Sequence, residues 1–477
     1  MSSRHRLSVH DLLDRVFDPG SFDSWDRPID ISGHPQDYRA TLRRAAERAG
    51  TDESVVTGSA RVHGRPVAVI ANEFSFLAGS IGAAAADRIV HAVRRATAEG
   101  LPLVASTASG GTRMQEGTPA FVHMVTISRA LMDHRDAGLP YLVHLRHPTT
   151  GGVLASWGSL GHITVAEPEA LVAFLGPKVY EQLEGRPFPP GVQVGENLVQ
   201  HGIIDAVVPT EDLPRLLDRT LGLLLDPPAP STRRERPTPT TRRRSSWQSV
   251  ELTREPDRPG VRDLLRHGSD AIVRLQGTDE GERDTAMLVA VARIDGVACV
   301  VIGQDRAHQS PSSPMGPAAL REARRGMKLA NQLRLPLVSV IDTPGAELSQ
   351  RAEEGAIAGE IARCIAGMTT LTVPSVSVLL GQGCGGGALA LLPADATIAA
   401  ENAWLSPLPP EGASVIVHGD TTHAPQMVEQ QKVSAFELME TGTVSRIIPE
   451  TATDTPEDFA DAVAASIGAR LRELSGD

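Results

Sequence analysis

Apolar residues recur along the chain in two alternating rhythms. Short β-branched runs at 67–70 and 297–302 have the composition of buried strands. Each precedes a stretch with apolar positions at helical spacing, Ala83–Glu99 and Pro317–Leu333. Second strands are predicted at 103–105 and 337–341, third strands at 141–145 and 375–380, and short fourth ones at Ile163–Ala166 and 397–400. Strict alternation of strand and helix predicts right-handed βαβ units and largely parallel sheets, the α/β fold class.

The rhythm is written twice. GRPVAVI at 64–70 recurs as GVACVVI at 296–302, an offset of 232, and LPLV at 101–104 recurs at 335–338, an offset of 234. Pro140 answers Pro374 and Ala166-Glu167 answers Ala400-Glu401, both at 234; GVLA at 152–155 answers GALA at 387–390, at 235. HGIIDAVVP at 201–209 echoes TGTVSRIIP at 441–449, at 240. A near-constant offset over six landmarks identifies two related halves. They are divided by residues 226–259, dense in Pro, Thr, Ser and Arg and almost without aliphatics, a composition that predicts a solvated, semi-extended linker. The expected domains are therefore 1–225 and 260–477.

Composition narrows the function. With 41% apolar and 22% charged residues, a chain of 477 can bury two or three cores. A net charge of −12 speaks against general nucleic-acid affinity while leaving room for a local basic pocket. Three cysteines without zinc-finger spacing predict a reduced, cytoplasmic protein and no bound metal. Neither a leader-like apolar core nor a membrane-length apolar run is present in the sequence.

Four glycine loops carry the chemistry. SGGTRMQEG at 109–117 and PTTGG at 148–152 follow strands in the first half; DTPGA at 342–346 and GQGCGGG at 381–387 follow the matching strands in the second. Glycines ahead of a helix leave backbone N–H groups unobstructed, a ready site for an anion or a developing oxyanion. Two such sites imply two reacting carbonyl-type groups. Arg113, Lys178 and Arg351 lie on or beside these loops and suit an anionic substrate. Glu116 and Asp342 are near enough to serve as bases, with capping or ion pairing as the structural alternative. No GxSxG, HExxH or P-loop pattern occurs.

These motifs resemble a known pair of subunits. FLAGSIG (76–82), SGGTRMQEG, HPTTGGVLASWGSLG (147–161) and AEPEALVAFLGPKVYEQ (166–182) resemble the β subunit of bacterial acetyl-CoA carboxylase carboxyltransferase. RRGMKLA (324–330), LPLVSVIDTPGA (335–346), AEEGAIAGEIAR (352–363), VPSVSVLLGQGCGGGALAL (373–391) and SPLPPEGASVIV (406–417) resemble its α subunit. The resemblance implies two tandem crotonase-like domains and transfer of CO₂ from N-carboxybiotin, held on a carrier protein, to an acyl-CoA. It places Gly151 and Gly152 at the thioester enolate, and Gly386 and Gly387 at the biotin ureido oxygen. Gly79, Gly110, Gly111, Arg113 and Lys178 would bind substrate on the acyl-CoA side, with Gly345 and Arg351 on the biotin side. It further implies a biotin carboxyl carrier protein and a biotin carboxylase as partners, and a homodimer pairing one protomer's β-like half with another's α-like half. Two departures stand out. The four-cysteine zinc ribbon of the β subunits is missing, and Glu347 follows DTPGA where relatives often carry an aromatic residue. A malonate decarboxylase-type activity on a carrier-bound malonyl thioester, or an inactive scaffold binding CoA esters, are the alternatives.

Overall fold

The computed structural model describes residues 6–476. The chain divides after Gly222 into two compact units. The first holds one sheet built from β1 (Asp23–Ser24), β2 (Val55–Val62), β3 (Arg65–Asn72), β4 (Leu103–Ser109), β5 (Tyr141–Thr150), β6 (Ile163–Ala166), β7 (Val172–Ala173) and β8 (Ala206–Val207). Its order is β1-β2-β3-β4-β5-β6-β8, with β7 beside the far end of β5. From β3 onward all neighbours are parallel, while β1, β2 and β3 pair antiparallel.

Helix Ala83–Glu99 returns the chain from β3 to β4. It starts at Gly82 and stops at Gly100, whose φ of 66° ends the helix with a left-handed turn. Its inner face, Ala85, Ile89, Val93 and Ala96, packs with Ile70, Leu103 and Val143 of the sheet and with Ile127 and Leu131 of helix Gly117–Asp136. Small alanines let helix and sheet approach closely, and each large aliphatic buried here contributes about 1.5–3 kcal/mol.

The second unit repeats the plan. Its strands are β9 (Ser269–Leu275), β10 (Met287–Ile294), β11 (Val297–Gln304), β12 (Leu337–Thr343), β13 (Ser375–Cys384), β14 (Ala396–Ala400), β15 (Trp404–Ser406) and β16 (Arg446–Ile448). Their order is β16-β14-β13-β12-β11-β10-β9, with β15 beside β13. Helix Pro317–Leu333 starts at Gly316 with nearly the backbone angles of Gly82 and also ends left-handed, at Arg334.

Strand register fixes the correspondence at 234. Ser109 pairs with Thr149 after an irregularity in the β4–β5 ladder, and Thr343 pairs with Gly383 after the same irregularity in β12–β13. Such a break re-aims the chain at the strand ends where the glycine loops begin. Gly151 (φ 62°) and Gly385 (φ 65°) then coincide, so Gly152 corresponds to Gly386. The spacing of 235 read from GVLA and GALA is one residue too long.

The linker reading needs correction. Residues 246–253 form a helix capped by Ser245, and its Ser246, Val250 and Thr253 are fully buried. Arginines do the anchoring: Arg233 pairs with Asp461 (2.8 Å) and Asp270 (3.0 Å), Arg236 with Asp454 (2.6 Å), and Arg258 with Glu450 (2.7 Å). The segment straps the second unit through ion pairs, which a count of aliphatics does not register. Among the described residues no helix is long and apolar enough to cross a membrane.

Candidate active site

In the first unit, three loops meet at the C-terminal ends of β3, β4 and β5. Leu77, Ala78 and Gly79 all have positive φ (46°, 57° and 65°), and a Cβ on Gly79 would lie 2.0 Å from the Ala108 carbonyl, so only glycine fits there. Ser109 joins the loops: its hydroxyl donates to Gly79 O (2.6 Å) and accepts the Gly111 N–H (3.0 Å). The Gly110 N–H donates to Ala78 O (2.9 Å). A Cβ on Gly111 would stand 3.1 Å from Gly152 N, and one on Gly151 would stand 3.3 Å from Gly110 O. Gly79, Gly110, Gly111, Gly151 and Gly152 thus form one cradle.

Two expectations change here. The Gly151 N–H already donates to Ala173 O (3.2 Å) and Phe174 O (3.1 Å), so Gly151 shapes the turn and is not an oxyanion donor. The Gly152 N–H has no acceptor among the described residues. Arg113 is no substrate ligand either. It is 1% exposed, chelated by Glu53 with one contact at 2.9 Å, and bonded to Ser80 O (2.7 Å), Ser54 Oγ (3.2 Å) and Glu116 (3.3 Å). Glu116 caps helix Ala83–Glu99 through the Ala83 N–H (2.6 Å) and accepts the Tyr38 hydroxyl (2.6 Å). Burial acts to raise its pKa, but these donors and Arg113 outweigh it and hold the carboxyl below its usual value. Lys178 stands exposed in the first turn of helix Pro177–Glu184.

The second unit builds the same cradle with other parts. Thr343 Oγ1 accepts the Gly345 N–H (3.1 Å), the counterpart of Ser109 and Gly111 at an offset of 234. Helix Gly385–Leu389 begins where β13 ends, so the N–H groups of Gly386 and Gly387 lie in its unpaired first turn. A Cβ on Gly387 would stand 2.7 Å from Met315 Cε and 3.3 Å from Ala346 N; one on Gly386 would meet Ile361 Cδ1 at 2.8 Å. Asp342 is buried and engaged: it accepts the Gln382 N–H (3.0 Å) and Arg306 Nε (3.1 Å). Burial raises its pKa, with Arg306 acting against that. It braces the loop and is not free as a base. Arg351 is exposed on the short helix Gln350–Glu354. Cys384 is buried, and burial pushes its thiol up to about 11, so it stays protonated and inert. Among the described residues no group of three or more His, Cys, Asp or Glu is placed to hold a metal.

Sequence reasoning passed over Glu53, Asn72 and Gln304. Both amides lie two residues beyond a predicted strand, at matched positions, and that placement was the available signal; Glu53 carried none.

Two sheets wound in the same way, each with glycine loops at its strand ends, define a tandem crotonase-like carboxyltransferase fold. The solved structure of transcarboxylase 12S, described with methylmalonyl-coenzyme A and methylmalonic acid bound and as a hexamer assembly, matches with a TM-score of 0.77 over 99% of this chain and 90% of that one, at 20% identity. The carboxyl transferase domain family matches residues 2–466. A probable biotin-dependent acyl-coenzyme A carboxylase beta3 subunit of Mycobacterium tuberculosis is 55% identical, covering 98% of this chain and 95% of that protein. The acetyl-coenzyme A carboxylase carboxyl transferase subunits beta/alpha of Saccharopolyspora erythraea are 35% identical, covering 99% and 87%. The chain belongs to the carboxyl transferase domain family, among the biotin-dependent acyl-CoA carboxyltransferases.

Proposed function

We propose that the chain transfers a carboxyl group from N-carboxybiotin on a separate carrier protein to acetyl-CoA or another short acyl-CoA, giving malonyl-CoA or its homologue. The observation that carries this reading is the duplicated cradle, one per unit, each presenting backbone N–H groups at a site that a single Cβ would fill. In the first unit the Gly152 N–H meets the thioester oxygen as enolate charge develops. In the second, the N–H groups of Gly386 and Gly387 meet the ureido oxygen of biotin, which supplies the carboxyl group. Fixed backbone donors stabilise charge where it appears without titrating. Glu116 and Asp342 are both engaged, so this chain's part is to orient and to stabilise charge, not to remove a proton with a carboxylate.

Lys178 and Arg351, both exposed, are assigned to anionic portions of the two substrates. The proposed partners are a biotin carboxyl carrier protein, a biotin carboxylase and, in the cytoplasm, a second copy of this chain. Exposed apolar side chains on each unit, Phe121, Val122 and Val125 on one and Val415, Ile416 and Val417 on the other, support self-association.

The test is the reverse reaction. The protein mixed with malonyl-CoA and biocytin should release acetyl-CoA only when biocytin is present. Turnover without biocytin would point to a decarboxylase-type activity, and no turnover with any short dicarboxylic acyl-CoA would reject the reading.

A further inference from the structure

We infer that two buried amides, Asn72 and Gln304, are positioning residues that tether the glycine cradles to the sheets, with Gln304 setting the biotin-side donors. For its catalytic consequence the inference rests on the proposed function. Asn72 ends β3 and Gln304 ends β11, 232 residues apart, and both are fully buried. Each side-chain oxygen accepts a backbone N–H from the neighbouring parallel strand: Asn72 from Ala108 (3.4 Å) and Gln304 from Asp342 (3.1 Å), acceptors' partners that are themselves 234 apart. Each side-chain NH₂ donates to a carbonyl of a cradle glycine: Asn72 to Gly79 (3.4 Å) and Gln304 to Gly387 (2.7 Å).

A carboxamide offers an uncharged acceptor and donor at one fixed spacing. A carboxylate keeps the acceptor and loses the donor; at Gln304 this removes the bond to the buried Gly387 carbonyl, whereas at Asn72 the Gly79 carbonyl still accepts the Ser109 hydroxyl. The longer side chain of Gln304 reaches past the strand end into the first turn of helix Gly385–Leu389. There it holds Gly387 by its carbonyl while Met315 packs on the same glycine, with Gln304 Nε2 3.7 Å from Met315 Sδ. Asn72 is shorter and stops at Gly79, with a second bond to Ser54 O (3.3 Å). The duplication has kept the acceptor end of the tether and moved its donor end to a different loop.

Amide hydrogen exchange of the full chain tests this independently of catalysis. In Gln304→Glu, residues 381–392 should exchange at least tenfold faster while residues 76–82 and 147–158 keep wild-type rates. In Asn72→Asp, residues 76–82 should quicken and 381–392 should not. Unchanged exchange at 381–392 in Gln304→Glu, or equal acceleration of both units with a fall in Tm, overturns the inference. In the biocytin-dependent assay Gln304→Glu should lower kcat at least tenfold with the acyl-CoA KM within twofold of wild type, and parallel changes in kcat and KM count against it. An inactive wild-type protein would reject the functional reading, while the exchange rates would still decide the tether.

Discussion

The backbone at Arg113 and at Glu347 is the same, and almost nothing else about the two positions is. Each follows a residue in an isolated parallel bridge, Thr112 with Ile81 and Ala346 with Met315, and their N–H groups donate to Ile81 O and Met315 O, each at 2.9 Å. Arg113 is sealed under the first cradle by Glu53 and Glu116, whereas Glu347 is only half-buried and accepts the Ser349 hydroxyl at 2.6 Å. A duplicated frame is thus specified by its backbone hydrogen bonds, and the side chains beneath it are free to diverge. Both cradles keep a neutral amide, Asn72 or Gln304, but the first also rests on a buried ion cluster and the second on Asp342 with Arg306.

Removing the two side chains should separate the units most sharply. Arg113→Met strands two carboxylates under the first cradle and should cost about 3–5 kcal/mol, visible as a large drop in Tm. Glu347→Gln should stay within about 0.5 kcal/mol. Equal effects would mean that the ion cluster is not what braces the first unit.

A second difference depends on pH. Glu322, buried in the second unit, accepts the Asp284 N–H (2.6 Å), and burial pushes its carboxyl up to about 8. A folded-state pKa above the ordinary 4.5 stabilises fully below that value, and the stability is lost as pH rises through about 8. Glu322→Gln keeps the acceptor without the charge, so thermal melts should show it gaining on the order of 4 kcal/mol over wild type between pH 5 and pH 9. A flat difference across that range would contradict the assignment.

The smallest effects belong to the exposed cations. Lys178→Ala should raise the acyl-CoA KM no more than about fivefold, an exposed contact being worth about 1 kcal/mol or less, and should leave the biocytin KM unchanged. Arg351→Ala should do the reverse. Crossed effects would exchange the roles of the two units.

The strands and helices were legible because periodic burial writes itself into sequence. Helices Ala83–Glu99 and Pro317–Leu333 fall where spacing predicts them, and the repeat reappears as strand register. The cradle glycines were legible as residue types, but their separate roles were not. Whether the Gly151 N–H is free depends on β7 lying beside β5, a long-range pairing that no local pattern encodes. Arg113 looked like a ligand because a loop arginine beside glycines carries the same letters whether it faces solvent or Glu53. The strap at 226–259 was misread for a related reason, since its burial rests on arginine partners more than 30 residues away.

The central claim is that the halves are unequal, the first serving the acyl-CoA and the second the biotin. Gly387→Val tests it most directly. The backbone at 387 lies outside the positive-φ region, so the effect of valine there is steric, against Met315 Cε and Ala346 N. Acyl-CoA affinity measured by calorimetry should remain within about twofold of wild type while biocytin-dependent transfer falls by a factor on the order of 10²–10³, the usual cost of losing one such donor. A collapse of acyl-CoA affinity in this variant would contradict the assignment of the halves.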